Sequence, residues 1–254
     1  MEGLFLVLMR TVVPTAALGA VLLVPGSLSA DALPPAPGAG GSGRAPRADP
    51  PPAAELLAAV GGCVQVSRGA YRTDASAARE TVPVCGKTGV VHWKADLDID
   101  CDGRRGTHCN ERTDPYFSPM TAFTQSDGRY LSAEQLPFIV VPAPSSRWRY
   151  AEHGVKGGSV VAVVHRAQVL YAVVGDSGPA GVIGEASYAA AEALGIPPDP
   201  RTGGVASGVT YIVFTGTRVQ PIESHRAAVI EGERQARAFV ARRGAARTAP
   251  GPWG

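Results

Sequence analysis

Between residues 89 and 214 the chain repeats one pattern: a short run of β-branched apolar residues, then a break made of Gly, Pro or Asp. The runs are 89–93, 138–141, 159–164, 168–174 and 209–214. Each has the length of one strand. Before the C-terminal tail the strong helical pattern is confined to 186–194, ASYAAAEAL, which stops at Gly195 and the Pro197-Pro198 pair. Strands that do not alternate with helices argue against a doubly wound parallel sheet. The expectation is a mainly β fold: a single barrel-like β domain, closed or nearly closed, with a few helices.

The segments flanking this pattern have a different character. An apolar stretch at 16–24 follows Arg10, and Ala30-Asp31-Ala32 obeys the small-x-small rule for signal cleavage. The run is too short for a bilayer span, which takes roughly 20 apolar residues. Residues 1–32 are therefore read as a signal peptide, with secretion to the extracellular space and no membrane association after processing. Residues 33–54 are dominated by Pro, Gly and Ala and read as a disordered linker, because such a composition buries little apolar surface. Residues 55–222 form the expected domain, long enough for one sizeable core. From 223 to 243 there is no Pro and a single Gly, which predicts one C-terminal helix followed by a basic tail reaching 254.

Charge narrows the partners. The chain has 24 Lys plus Arg against 22 Asp plus Glu. Residues 55–222 carry 16 acids and 15 bases, while 223–254 carry 3 and 6, so the basic excess lies outside the expected domain. A nucleic-acid-binding surface needs a clear cationic excess on the domain itself, and none is present. The basic run of the tail reads as a solvated helix face. Four cysteines, Cys63, Cys85, Cys101 and Cys109, make two disulfides in an exported chain. Three connectivities are possible, and we favour nearest-neighbour pairing. No two-residue Cys spacing supports zinc.

Two acidic constellations carry the chemistry. The first is ADLDIDCDG over 95–103, in which Asp96, Asp98, Asp100 and Asp102 alternate with other residues. In an extended strand they share a face, repel one another and call for a cationic ligand. Asp98-x-Asp100-x-Asp102-Gly103 also matches the first half of a calcium loop, but Cys109 stands where a bidentate Glu is required. The second is YAVVGDSGP over 171–179, followed by IGEAS over 183–187. It delivers Asp176 at a strand end and Glu185 at the start of the internal helix. Two carboxyls in different surroundings are what acid–base hydrolysis needs. The helix dipole would favour ionised Glu185 and apolar neighbours a protonated Asp176, which makes Asp176 the acid and Glu185 the base. Ser177 sits in a Gly-Asp-Ser-Gly-Pro context like that of serine proteases, yet no histidine stands in the matching surroundings.

Together these motifs, with 136–140, 194–196 and 209–214 as supporting pieces, resemble glycoside hydrolase family 75, the chitosanases. The resemblance spans about residues 60–220 and leaves the C-terminal helix outside. It implies a secreted endo-hydrolase that cleaves β-1,4 glucosamine linkages, inverts the anomeric centre and needs no organic cofactor. It places the catalytic pair on Asp176 and Glu185. The partner is then chitosan, a polycation, and the chain is expected to act as a monomer without a metal. Asp96, Asp98, Asp100 and Asp102 become candidates for holding substrate ammonium groups, with Tyr171 from the second motif as a further contact. A non-catalytic polysaccharide-binding module and a calcium-stabilised module are the alternatives on the same acidic face.

Overall fold

The computed structural model describes residues 49–248, so the expected signal peptide, most of the linker and the last six residues lie outside the described residues. Among the described residues eight strands are present: β1 (Val64–Gln65), β2 (Cys85–Lys87), β3 (Val90–Asp100), β4 (Phe138–Pro142), β5 (Val160–His165), β6 (Gln168–Gly178), β7 (Glu185–Ser187) and β8 (Val205–Phe214). They hydrogen-bond in the order β1-β2-β3-β7-β4-β6-β5-β8. A further β3–β8 pairing closes β3, β7, β4, β6, β5 and β8 into a six-stranded barrel. Pairing is mixed: β3–β7 and β4–β6 are parallel, while β4–β7, β5–β6, β5–β8 and β3–β8 are antiparallel. The expected mainly β barrel is what forms.

Alternation along the strands sorts the apolar residues into two cores. One takes side chains from all six barrel strands, among them Trp93, Leu97, Ile139, Val163, Val174, Ala186 and Tyr211, and fills the barrel. Trp93 stacks on Tyr211 at 5.3 Å and meets Trp148 edge-on at 6.2 Å. Those two tryptophans are 1% and 2% exposed and belong to the core. The other core lies between the sheet and two helices, α1 (Ala53–Val60) and α3 (His225–Thr248). The short α2 (Tyr188–Ala193) is capped by the Ser187 hydroxyl, which accepts from the Ala190 N–H.

The C-terminal helix adds to the expected solvated basic face an apolar face that packs on the domain. Ala228, Ala236 and Phe239 are buried in the second core. Arg243 donates to the carbonyl of Ala59 at the end of α1, and Lys87 donates to the same carbonyl at 3.4 Å, so cations satisfy the open carbonyls of that helix. The two disulfides follow nearest-neighbour pairing, Cys63–Cys85 and Cys101–Cys109.

Candidate active site

The acidic run is the second half of β3. Register places Asp98 beside Glu185 of β7 and Asp100 beside Ser187. On the other side of β7, Ala186 pairs with Ile139 of β4, so Glu185 stands next to Val140. Val140 in turn pairs with Asp176 of β6, where the register shifts by one residue. One row across four neighbouring strands therefore reads Asp98, Glu185, Val140, Asp176. The two carboxyls taken from the second motif flank one apolar residue, with backbones roughly 10 Å apart, two inter-strand spacings.

Local structure explains the placement. Gly184 precedes β7 with φ +123°, and a Cβ there would stand 2.0 Å from Asp96 Oδ1. Only glycine lets the chain pass Asp96 at that distance and hand Glu185 to the row. The Gly184 carbonyl accepts the Asp98 N–H at 2.8 Å, locking the two strands together. Past Asp100, the Cys101–Cys109 disulfide turns the chain away from the sheet, so Asp102 follows the strand rather than lying in it.

Each carboxyl meets its own surroundings. Asp176 is 6% exposed, and its Oδ1 accepts the N–H groups of Ala122 at 2.6 Å and Ser177 at 2.7 Å. Burial raises its pKa, and those two donors pull it back toward the charged form. Glu185 accepts no such pair. Burial, then the charges of Asp98, Asp102 and Asp176, push it up to about 7. Asp102 is raised to about 6, mainly by burial, against an opposing N–H from Ser118 at 2.8 Å. Asp98 is raised by burial and by Asp74. Asp100 is driven well above the usual range by burial, then by Asp176 and Asp102.

The helix dipole expected to act on Glu185 is absent from this geometry. Glu185 lies on strand β7, and α2 begins three residues later with Ser187 as its cap, so no helix dipole ionises Glu185. The donors are on Asp176 instead. The calcium-loop reading also fails in form, because Asp98 and Asp100 are in an extended, paired strand rather than wrapping an ion. Carboxyl oxygens of Asp100, Asp102 and Asp176 do lie within 4.8 Å of one another. Two full charges at that separation repel by roughly 3–4 kcal/mol at an effective dielectric near 20. Among the described residues no Lys, Arg or His forms an ion pair with any of the three.

Two expected substrate contacts sit elsewhere. Asp96 is 5% exposed, and its Oδ1 is buried without a hydrogen-bond partner, so it cannot grip a solvent-borne ammonium. Burial, then Asp98, raises it to about 8. Tyr171 is five residues before Asp176, roughly 16 Å along β6. It packs in the helix-side core against Gly232 of α3, away from the carboxyls. What sequence reasoning missed are the backbone donors of Ala122, Ser118 and Ser177, which carry no side-chain signature, and Asp74, which lies in no motif. Cavities of about 330, 760 and 320 Å³ are lined by none of these carboxyls, although Ala122 lines the second of them. Asp98, Asp100, Asp102 and Glu185 are instead partly exposed on the surface.

The fold is thus a closed mixed barrel that carries two unlike carboxyls, Glu185 and Asp176, on either side of one strand. Residues 97–241 match the family described as fungal chitosanase of glycosyl hydrolase group 75, and the chain belongs to that family. The match runs into α3, beyond the expected limit near 220. The chain is 35% identical over 130 residues to endo-chitosanase C of Aspergillus oryzae, covering 49% of this chain and 31% of that protein. It is 32% identical over 138 residues to endo-chitosanase B of Aspergillus oryzae (strain ATCC 42149 / RIB 40), covering 51% of this chain and 57% of that protein. The chain thus spans about a third to just over half of the curated relatives' own length. Among the described residues no helix is long and apolar enough to cross a membrane.

Proposed function

We propose that the protein is a secreted endo-acting chitosanase that hydrolyses β-1,4 glucosamine linkages with inversion, Glu185 serving as general acid and Asp176 as general base. The observation that carries the reading is the contrast across Val140: Asp176 accepts two backbone N–H groups, whereas Glu185 is raised to about 7. A base must be ionised and an acid protonated at the same pH; burial raises both carboxyls, and of the two Asp176 has the backbone donors that favour its charged form. Glu185 gives its proton to the glycosidic oxygen as the bond to C1 breaks. Asp176 takes a proton from the water that attacks C1 from the opposite face. The two-strand separation of their backbones suits the roughly 6.5–9.5 Å between carboxyls that leaves room for that water, and not the roughly 5 Å of a retaining pair.

Substrate choice follows from charge. Chitosan carries an ammonium on each deacetylated sugar, and the partly exposed Asp98 and Asp102 present carboxylates beside the reacting pair. The partly exposed Asp98, Asp102 and Glu185 let a polymer lie across the site and be cut internally. The test is reducing-end release from chitosan by wild type, Asp176→Asn and Glu185→Gln, with circular dichroism to verify folding. Loss of hydrolysis in both folded variants is the expected outcome. Near-normal turnover in either ends the assignment.

A further inference from the structure

We propose that Thr121 is a positioning residue for the hydrolysis: its buried hydroxyl clamps the chain around Ala122 and so keeps the Ala122 N–H on the carboxylate of Asp176. The inference rests on the assignment of Asp176 as general base and adds a side chain that acts through the peptide of Ala122.

The titratable groups that face Asp176 are all acidic: Asp100 at the end of β3, Asp102 just past it and Glu185 on β7. A base in that setting stays ionised through hydrogen-bond donors. Two backbone N–H groups serve, that of Ser177 at 2.7 Å and that of Ala122 at 2.6 Å. Ser177 is the next residue along the strand and arrives with Asp176. Ala122 comes from 54 residues away, so its N–H has to be brought in and held by whatever fixes residues 121–123.

Thr121 is the one buried residue between 119 and 124, 5% exposed beside exposed Met120 and Ala122. Its Oγ1 donates to the Phe123 carbonyl at 2.7 Å and accepts the Leu131 N–H at 3.1 Å. The first bond closes a short ring that contains Ala122 and sets the direction of its N–H. The second ties that ring to Leu131, which is fully buried against β6: a Cβ added to Gly175 would stand 3.0 Å from Leu131 Cδ1. Gly175 immediately precedes Asp176. The hydroxyl therefore holds the donor against the same stretch of strand that carries the acceptor. From Ala122 to Ser126 the chain borders the cavity of about 760 Å³, so on that side hydrogen bonds rather than close packing hold it.

The experiment compares Thr121→Val with Thr121→Ser, using kcat and KM against pH on a soluble glucosamine oligomer, a carbon NMR titration of the Asp176 carboxyl, and thermal melts to verify folding. Valine keeps the shape and removes the hydroxyl. Its plateau kcat should fall about tenfold with little change in KM, because the base is less well oriented. The acid limb of the profile and the Asp176 titration should both move up by about one pH unit, because losing a donor to the anion favours the protonated form. Serine keeps the hydroxyl and should hold both within about 0.3 unit of wild type, whatever its effect on Tm. A folded valine variant with the limb and the Asp176 titration unmoved would overturn the proposal. So would a serine variant displaced by about one unit, which places the effect in the methyl group that packs by Gly103 and not in the hydroxyl. The serine arm decides the matter without a folded valine variant. Failure of the underlying reading would show separately, as retained hydrolysis in Asp176→Asn.

Discussion

Replacing Asp98 by asparagine should move the basic limb of the kcat–pH profile to lower pH. In the proposed mechanism that limb reports loss of the proton from Glu185, whose pKa is raised to about 7 by burial first and by Asp98 as the largest charge. The two residues pair across adjacent parallel strands, which puts their carboxyls roughly 5 Å apart. Two full charges there interact by about 3 kcal/mol at an effective dielectric near 20, equivalent to roughly two pKa units. Both groups are partly exposed, so solvent screening reduces the expected shift to about one unit. The limb should therefore fall from near 7 to roughly 6. The assay is kcat measured from pH 4 to 9 on a soluble glucosamine oligomer, at saturation so that ammonium binding by Asp98 does not enter. A limb that stays in place, or moves up, would refute Glu185 as the acid or the coupling of the two strands.

Stability should respond to pH through Asp96, whose pKa rises from 3.8 to about 8 on folding. The folded state then holds a proton that the unfolded chain releases near pH 4, so this contribution is intact below pH 4 and is lost as pH rises to about 8. Thermal melts should show Tm falling over that window in wild type and a flatter slope, with a higher Tm at pH 8, in Asp96→Asn; parallel slopes would contradict the burial of Asp96. Gly232→Ala should destabilise despite improving helix propensity by about 1 kcal/mol, because the new Cβ would stand 2.4 Å from Tyr171 Cδ1. Overpacking of this kind costs about 1–3 kcal/mol, read as a lowered urea midpoint, and a raised midpoint would refute the packing. Removing the Cys101–Cys109 bridge as a double alanine should cost about 2–3 kcal/mol from the loop it closes. It should also lower activity, since Cys101 adjoins Asp102; unchanged kcat would separate the bridge from the site.

The barrel was legible because β-branched runs announce strands, and all five runs lie on strands. What the apolar pattern could not show was the extent of β3 through Asp100 and of β6 through Gly178, where acidic and small residues replace apolar ones. The three-residue β7 was invisible for the same reason, so Glu185 was read onto the neighbouring helix and credited with a helix dipole that it does not meet. The candidate carboxyls were found because alternation in 95–103 and a strand end at Asp176 are sequence patterns. Tyr171 was misplaced because nothing local says that α3 covers it. The donors on Asp176 come from Ala122, 54 residues away, and from a backbone N–H that any residue supplies.

The most direct measurement is the anomeric form of the first product released from a glucosamine oligomer, followed by proton NMR in wild type, Asp176→Asn and Glu185→Gln. The account predicts cleavage by wild type with the α-anomer formed first, and a loss of at least a thousandfold in both folded variants. A β-anomer formed first, or substantial cleavage by either variant, would contradict it.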